Sequence, residues 1–225
     1  MKKILALVFL AAAGCLLWLA FKPGPLTPQE AARLKAAQAS DQLVLVGATG
    51  GSDAILSFYE KNGGAWQEVF SRKAYIGRNG LGKEREGDAK TPVGVFHFTR
   101  AFGIAPDPGC PMGYVQVDDT HYWVGDGNSP LYNQFVSTRD HDDFDKAESE
   151  HIIEYAKPYV YCLNISYNEQ GKPGLGSAIF LHCYSQNTYT GGCVAIPEED
   201  MRLLLRKVRP DCTIIIARLK DLKTY

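Results

Sequence analysis

The chain has 225 residues, enough for one ordinary domain with an extension. Its hydrophobic fraction of 45% can fill a core, and its charged fraction of 22% is normal for a soluble fold. Because the formal net charge is only −1, the composition argues against a nucleic-acid-binding surface. The 22 glycines and 12 prolines predict many turns, and therefore many short strands.

The first element in chain order is an apolar segment, residues 1–21. Two lysines precede an uncharged run over residues 4–21, which is just long enough to cross a bilayer. Positive residues before such a run stay in the cytoplasm, so everything after residue 21 is expected outside. We favour an uncleaved transmembrane anchor over a cleaved signal peptide, and both over lipidation at Cys15.

Residues 22–42 are predicted to form a stalk or linker helix. Thr27 and Glu30 have the spacing of a capping box, and Pro28 suits the first helical position. The alanine-rich continuation is only weakly amphipathic. The favoured interpretation is a stalk that lifts a domain off the membrane, and the alternative is a first helix packed against that domain.

Residues 43–225 are predicted to form one mostly β domain with a few helices, because short strand-like segments alternate with turn residues. An Asn-Gly-Gly sequence at 62–64 predicts a hairpin. Continuous apolar runs at 177–182 and 212–218 are typical of central strands covered on both faces. Between those two runs, Pro197 opens an amphipathic helix with acids in its first turn and bases in its last.

The cysteines constrain the redox chemistry. Cys15 lies in the apolar segment, and five others follow it: Cys110, Cys162, Cys183, Cys193 and Cys212. An odd number in an oxidising compartment implies at least one free thiol or an intermolecular bond. The sequence has no CxxC pair, so it gives little support to a structural zinc site. An exported chain that keeps an unpaired cysteine invites a functional explanation.

A histidine and a cysteine in the last third of the chain could form a catalytic pair. His182 ends an apolar run, and Gly191, Gly192 and Cys193 follow after a stretch rich in polar and aromatic residues. A thiol nucleophile needs a partner that lowers its pKa from about 8.5. It also needs backbone that can approach a carbonyl group, and N–H donors for the developing oxyanion. The alternative is a set of ordinary core residues around a tight turn.

Three ordered motifs resemble the L,D-transpeptidase catalytic domain family, also called the YkuD type. They are KTPVGVFHF at 90–98, IFLHC at 179–183 and TGGCVAIPEEDM at 190–201. The resemblance extends over roughly 43–219, nearly the whole predicted domain. It implies a β-sandwich or barrel-like fold with a few short helices. It also implies a cysteine nucleophile with a histidine upstream on a neighbouring strand.

Carried over by position, this resemblance makes Cys193 the nucleophile and His182 its general base and later acid. The backbone carbonyl of Cys183 is expected to orient the histidine. The backbone N–H groups of Gly192 and Cys193 are expected to form the oxyanion hole, with Gly191 providing backbone freedom.

The chain departs from the family signature at two positions. Gly191 stands where a second histidine is usual, and Ala195 stands where an arginine is usual. Without that arginine, a substrate carboxylate has to be recognised by other residues. The candidates for substrate binding, each with packing or a solvated surface as the alternative, are Arg139, His151, Tyr132 and Asn133.

The implied function is a cysteine-dependent L,D-transpeptidase that acts on peptidoglycan stem peptides through a thioester. Covalent catalysis of this kind needs neither a metal nor another cofactor. The expected location is the bacterial cell envelope, outside the cytoplasm, with the protein anchored to the membrane or secreted. We expect a monomer with no nucleic-acid partner. The alternatives are an L,D-carboxypeptidase-type cysteine hydrolase and a catalytically inactive wall-binding module.

Overall fold

The computed structural model describes residues 24–225. The predicted anchor or signal segment, residues 1–21, lies outside the described residues. Within the described part of the chain, no helix has the length and apolar character needed to cross a bilayer.

The described residues are mostly β-strand with a few short helices. The α-helices are α1 (Pro28–Ala31) and α2 (Glu198–Leu205), and short 3-10 helices occupy Lys35–Gln38, Ile152–Glu154, Pro158–Val160 and Leu219–Thr224. The strands are β1 (Gln42–Gly50), β2 (Asp53–Asn62), β3 (Ala65–Tyr75), β4 (Gly94–Gly103), β5 (Tyr114–Gln116), β6 (His121–Trp123), β7 (Phe135–Ser137), β8 (Glu150–His151), β9 (Cys162–Ile165), β10 (Phe180–Cys183), β11 (Val194–Ile196) and β12 (Thr213–Arg218).

Eight strands close into a barrel. Their order is β12-β1-β2-β3-β11-β10-β9-β4, and β4 pairs again with β12 to complete the ring. Strand β4 can do this because its first half pairs with β12, whereas its second half pairs with β9 and carries β5 on its other side. The prediction of a mostly β, barrel-like fold with few helices is therefore confirmed.

The predicted hairpin joins β2 and β3. Asn62 pairs with Ala65, and the two residues between them, Gly63 and Gly64, have φ values of +55° and +86°. A two-residue turn with two positive φ angles suits the twist of the flanking strands, and glycine adopts it without strain. The Asn-Gly-Gly prediction is confirmed.

The main core fills the barrel and the space under α2. The helix contributes an apolar face, and this face packs on the inner residues of the central strands. The fully buried members of that face are Met201, Leu204 and Leu205, followed by Val208 just beyond the helix. The predicted amphipathic helix is confirmed, and it lies directly after β11.

The described part of the predicted stalk, residues 24–42, packs against the barrel. Leu26, Ala31, Leu34 and Ala37 are buried in one cluster with residues of β1, β2 and β12. The predicted capping box is present, but α1 is a single turn followed by a 3-10 helix. These apolar side chains cover the outside of β1 and β12, so the packed alternative describes this segment and the free stalk does not.

A small sheet stands beside the barrel, in the order β7-β6-β8. Its Trp123 packs edge-on against Phe180 of β10 with ring centroids 4.7 Å apart. A separate apolar cluster joins this sheet to the barrel and contains Phe102, Phe180 and Cys193. The small sheet and its loops therefore form one wall of the region around Cys193.

Candidate active site

Two adjacent parallel strands bring His182 and Cys193 together. His182 lies on β10 and pairs with Ala195 of β11, and Cys193 is the residue just before β11. The loop between the two strands returns the chain to the same end of the barrel. Both side chains line one cavity of about 370 Å³. The structure thus brings His182 and Cys193, the pair predicted from the sequence, to the same cavity.

The cavity has a mixed polar and aromatic lining. Its wall includes residues from the 83–87 loop, from the segment after the small sheet, and from the loop around Cys193. Besides His182 and Cys193, its side chains with chemical or binding potential belong to Lys83, Glu86, Glu150, Tyr155, Tyr159, Ser177, Ser185, Asn187, Tyr189 and Thr190.

One hydrogen bond determines the tautomer of His182. Its Nδ1 lies 2.7 Å from the carbonyl oxygen of Cys183. A carbonyl can only accept, so Nδ1 carries the proton and Nε2 is left with a free lone pair. Burial lowers the pKa of His182 to about 4. The imidazole is therefore neutral near pH 7 and available as a base.

The thiol of Cys193 is buried and protonated in the resting site. Its Sγ accepts from the Phe180 N–H at 3.3 Å and donates to the Ala178 carbonyl at 3.1 Å. Burial, followed by the negative charge of Glu150, raises the pKa of Cys193 to about 12. This differs from the lowered thiol pKa that a Cys-His pair suggests, because desolvation opposes the thiolate.

Two threonines anchor the turn that carries Cys193. Thr190 Oγ1 donates to the Cys193 carbonyl at 2.7 Å and accepts from the Gly192 N–H at 3.1 Å. Thr91 Oγ1 donates to the same carbonyl at 3.3 Å. The Gly192 N–H, one of the two expected oxyanion donors, is thus engaged by Thr190 in the resting site.

The two glycines before Cys193 differ in their surroundings. Gly192 has φ +146°, and a Cβ there would lie 2.9 Å from the Lys90 carbonyl oxygen and 3.1 Å from Ile179 Cδ1. Only glycine fits that position without strain. A Cβ at Gly191 would meet no heavy atom within 4 Å. The position of the family's usual second histidine therefore has room for a side chain at the cavity.

Tyr132 and Asn133 support the cavity from outside its lining. The Tyr132 hydroxyl donates to Glu86 Oε2 and thereby positions a carboxylate of the wall. The Asn133 Oδ1 accepts from Trp123 Nε1 at 2.8 Å and from the Ala178 N–H at 3.1 Å. Asn133 thus holds the residue whose carbonyl accepts from the Cys193 thiol.

Arg139 and His151 are placed away from the cavity lining. Arg139 is exposed and forms an ion pair with Asp118 at 2.8 Å. His151 stacks on Tyr122 with ring centroids 4.4 Å apart and bonds the Asp119 carbonyl through Nε2 at 2.8 Å. The structure does not bring either side chain to Cys193.

The residues of the cavity wall that sequence reasoning missed include Glu86, Glu150 and Tyr159. The Tyr159 hydroxyl donates to Glu150 Oε2 at 2.7 Å, and the Tyr159 ring meets the His182 ring edge-on at 5.5 Å. Burial raises the pKa of Glu150 to about 7. Glu86 lies in a turn-rich loop and Glu150 in a charged segment, and neither segment shows a periodicity that could single out a cavity residue.

Comparison with known proteins identifies the family of the chain. The model of the L,D-transpeptidase catalytic domain (YkuD) matches residues 51–216. The chain therefore belongs to the L,D-transpeptidase catalytic domain family. None of the curated proteins is significantly similar in sequence.

Two solved structures to which the chain is similar come from Campylobacter jejuni and Bdellovibrio bacteriovorus. The helical cell shape determining protein Pgp2 from Campylobacter jejuni is 18% identical, with a TM-score of 0.42 over 80% of this chain and 48% of its own. Bd1075 from Bdellovibrio bacteriovorus is 17% identical, with a TM-score of 0.41 over 81% of this chain and 50% of its own. The chain thus spans about half the length of either protein.

A third similar structure is an L,D-transpeptidase from Stackebrandtia nassauensis. It is 12% identical, with a TM-score of 0.35 over 84% of this chain and 63% of its own. The family assignment rests on the sequence-family match rather than on these superpositions.

Proposed function

We propose that the protein is a cysteine-dependent L,D-transpeptidase that acts on peptidoglycan stem peptides through a thioester. The observation that carries the proposal is that Cys193 and His182 line one cavity, with Nδ1 of the histidine held by the Cys183 carbonyl. Membership of the L,D-transpeptidase family supports the choice of substrate.

The first half-reaction is acylation of Cys193. The sulfur attacks the carbonyl carbon of a peptide bond in the stem peptide, and the thiol proton passes to Nε2 of His182. As the C–N bond breaks, His182 gives that proton to the departing amine. The product is a thioester between Cys193 and the stem peptide. The backbone N–H groups of Gly192 and Cys193 stabilise the oxyanion on the way, once the Gly192 N–H has left its resting hydrogen bond to Thr190 Oγ1.

The second half-reaction is attack on the thioester by an amine of a neighbouring stem peptide. His182 takes a proton from the amine, the C–S bond breaks, and the proton returns to the sulfur. A new amide then links the two stems. If water attacks instead, the same site acts as a carboxypeptidase.

The raised pKa of Cys193 and the lowered pKa of His182 favour proton transfer during the attack over a preformed ion pair. Both groups are neutral at rest. Acylation therefore begins when a carbonyl group enters the cavity, displaces solvent and presents the electrophile to the thiol.

The products formed from a disaccharide-tetrapeptide test the proposed function. The full-length protein, purified in mild detergent, is incubated with this substrate and analysed by mass spectrometry. We expect a mass increase on the intact protein and then cross-linked dimers. Disaccharide-tripeptide alone would show a hydrolase, and no covalent adduct would identify a wall-binding module.

Variants of the catalytic pair sharpen this experiment. Cys193→Ala should give no adduct. His182→Ala should slow acylation by about 10²–10⁴-fold, the usual contribution of a general base. Adduct formation at the normal rate in the His182 variant would contradict the assigned role.

We also propose that residues 1–21 act as an anchor or export signal and that the catalytic domain lies outside the cytoplasm. The apolar run after two lysines supports this location. A reporter that folds only outside the cytoplasm, fused after Tyr225, should be active in cells. An inactive reporter with normal protein levels would contradict the location.

A further inference from the structure

The cavity wall contains two carboxylates without a cationic partner. Glu150 Oε2 accepts from the Tyr159 hydroxyl at 2.7 Å, and Glu86 Oε2 accepts from the Ser177 hydroxyl at 3.0 Å. Among the ion pairs formed within residues 24–225, none includes either glutamate. Their partners are neutral hydroxyls, so the protein itself does not balance this negative charge.

The lysine that lines the cavity is already engaged elsewhere. Lys83 Nζ lies 3.1 Å from Asp88 Oδ1 and 3.2 Å from the Arg85 carbonyl oxygen. The side chains of Lys83 and Asp88 are 2% and 6% exposed, so this is a buried ion pair. The positive charge of Lys83 is thus matched by Asp88 and does not neutralise Glu86 or Glu150.

Glu150 is partly buried, and a partly buried carboxylate is costly unless a positive group pairs with it, whereas Glu86 is exposed. The two glutamates also repel each other, since the charge of Glu86 contributes to the raised pKa of Glu150. A positively charged ligand would relieve both costs, whereas a carboxylate ligand would increase them. Ala195, at the position of the family's usual arginine, is 3% exposed and supplies no cation for a carboxylate.

We propose that Glu150 and Glu86 are specificity determinants that bind a primary ammonium group of the substrate. On a peptidoglycan stem peptide this group is the side-chain amine of the third residue. The inference rests on the proposed function, because it takes the stem peptide as the substrate. It adds that the cavity selects stems whose third residue carries a free amine.

Ammonium binding at this wall would also assist the chemistry. The negative charge of Glu150 contributes to the raised pKa of the Cys193 thiol. A cation bound to Glu150 neutralises that charge and makes proton transfer from Cys193 to His182 easier. Substrate selection and activation of the nucleophile are then linked through one carboxylate.

Binding without chemistry tests the inference. The full-length Cys193→Ala protein is titrated calorimetrically with two tetrapeptides, N-acetyl-L-Ala-D-γ-Glu-L-Lys-D-Ala and the same peptide also acetylated on the lysine amine, so that the lysine side chain is the only ammonium that differs. We expect the free amine to bind about tenfold more tightly, as charge-assisted hydrogen bonds to a carboxylate do. Adding Glu150→Gln, or Glu86→Gln, should remove most of that preference.

Matched controls keep the test specific. Glutamine retains an oxygen for the Tyr159 or Ser177 hydroxyl, and thermal melts check that each variant folds. Glu148→Gln removes the same charge from an exposed residue two positions away and should leave the preference unchanged. Using both glutamate variants keeps the inference testable if one of them unfolds.

Equal affinity for the two peptides would overturn the inference, as would a preference that survives both glutamine substitutions. The proposed function is measured separately, as a covalent adduct on the wild-type protein. An amine preference without an adduct supports the inference and refutes the transpeptidase. An adduct formed equally with both peptides, without any binding preference, supports the transpeptidase and refutes the inference.

Discussion

At the residue scale, the central feature is a thiol and an imidazole that are both neutral at rest. The Cys183 carbonyl holds the proton on His182 Nδ1, and burial lowers the pKa of the ring to about 4. Burial and Glu150 raise the pKa of Cys193 to about 12. The lowered pKa of His182 and the raised pKa of Cys193, rather than the mere presence of a Cys-His pair, determine how the site should respond to pH.

The stability of the protein should depend on His182 between pH 6.5 and about 4. Its pKa falls from an ordinary 6.5 to about 4 on folding, so the unfolded chain binds a proton in this range and the folded chain does not. The contribution of His182 to the free energy of unfolding is therefore fully present above pH 6.5. It is lost as the pH falls towards 4, by roughly 3 kcal/mol in total.

The measurement is urea unfolding of the wild type and of His182→Asn at a series of pH values. The variant should lose less stability between pH 6.5 and 4. The difference between the two curves isolates the histidine from other groups, such as Glu150, whose raised pKa acts in the opposite direction. Parallel curves would show that His182 is not buried in its neutral form.

Alkylation of Cys193 by iodoacetamide should be slow at neutral pH and should accelerate in alkali, because the thiolate is the reactive form. Glu150→Gln removes the negative charge that helps to raise the pKa of the thiol. We expect the rate at pH 8.5 to rise about threefold to tenfold, since one pKa unit changes the thiolate fraction tenfold.

Peptide mass spectrometry over a pH series gives the rate for each cysteine. Glu148→Gln serves as the control and should react like the wild type. A Cys193 midpoint at or below that of an ordinary free thiol would mean that an imidazolium-thiolate pair exists at rest, contrary to the pKa directions of Cys193 and His182.

At the element scale, the turn before β11 depends on one glycine far more than on its neighbour. Gly192→Ala should cost about 1–3 kcal/mol, the usual penalty for a side chain in a strained backbone conformation. It should also slow acylation, because the displaced turn carries Cys193. Gly191→Ala has free space and should change stability by less than about 1 kcal/mol.

Thermal melts and acylation rates of the two alanine variants provide this comparison. Each substitution adds one methyl group, and the two positions adjoin, so they control for each other. Equal effects would mean that the φ of +146° at Gly192 is not required for the turn.

The sequence predicted those elements whose pattern is local. The Asn-Gly-Gly turn and the face of α2 formed by Met201 and Leu204 are visible within about ten residues. The walls of the cavity are not, because Glu86 and Glu150 come to line one cavity with Cys193 only when segments far apart in the sequence pack together. For the same reason the sequence favours a stalk over the packed alternative for Leu26 and Leu34: their partners lie far away in the sequence, in β1, β2 and β12.

At the scale of the whole molecule, residues 24–42 should matter for stability. Leu26 and Leu34 are buried, and each such side chain contributes roughly 1.5–3 kcal/mol. The Tyr59 hydroxyl also donates to the Leu26 carbonyl at 2.6 Å. A chain that begins at residue 43 should therefore be several kcal/mol less stable than one that begins at residue 24.

Circular dichroism melts of the two truncated chains measure this difference. A third chain begins at residue 24 and carries Leu26→Ala and Leu34→Ala. It distinguishes the stability lost with the two buried side chains from the stability lost with the rest of the segment. Identical melting temperatures for the two truncated chains would mean that the segment does not pack in solution, as the stalk interpretation expects.

The parallel pairing of β1 with β12 has a consequence for how the chain folds. Six residue pairs join strands from opposite ends of the sequence, and the Asp41 N–H bonds Asp211 across 170 positions. Such contacts raise the contact order and slow folding, because a long loop must close before they form. Until β12 has been synthesised, β1 presents an unpaired strand edge on which other chains can pair. The last strand made is therefore the one that protects the first from aggregation.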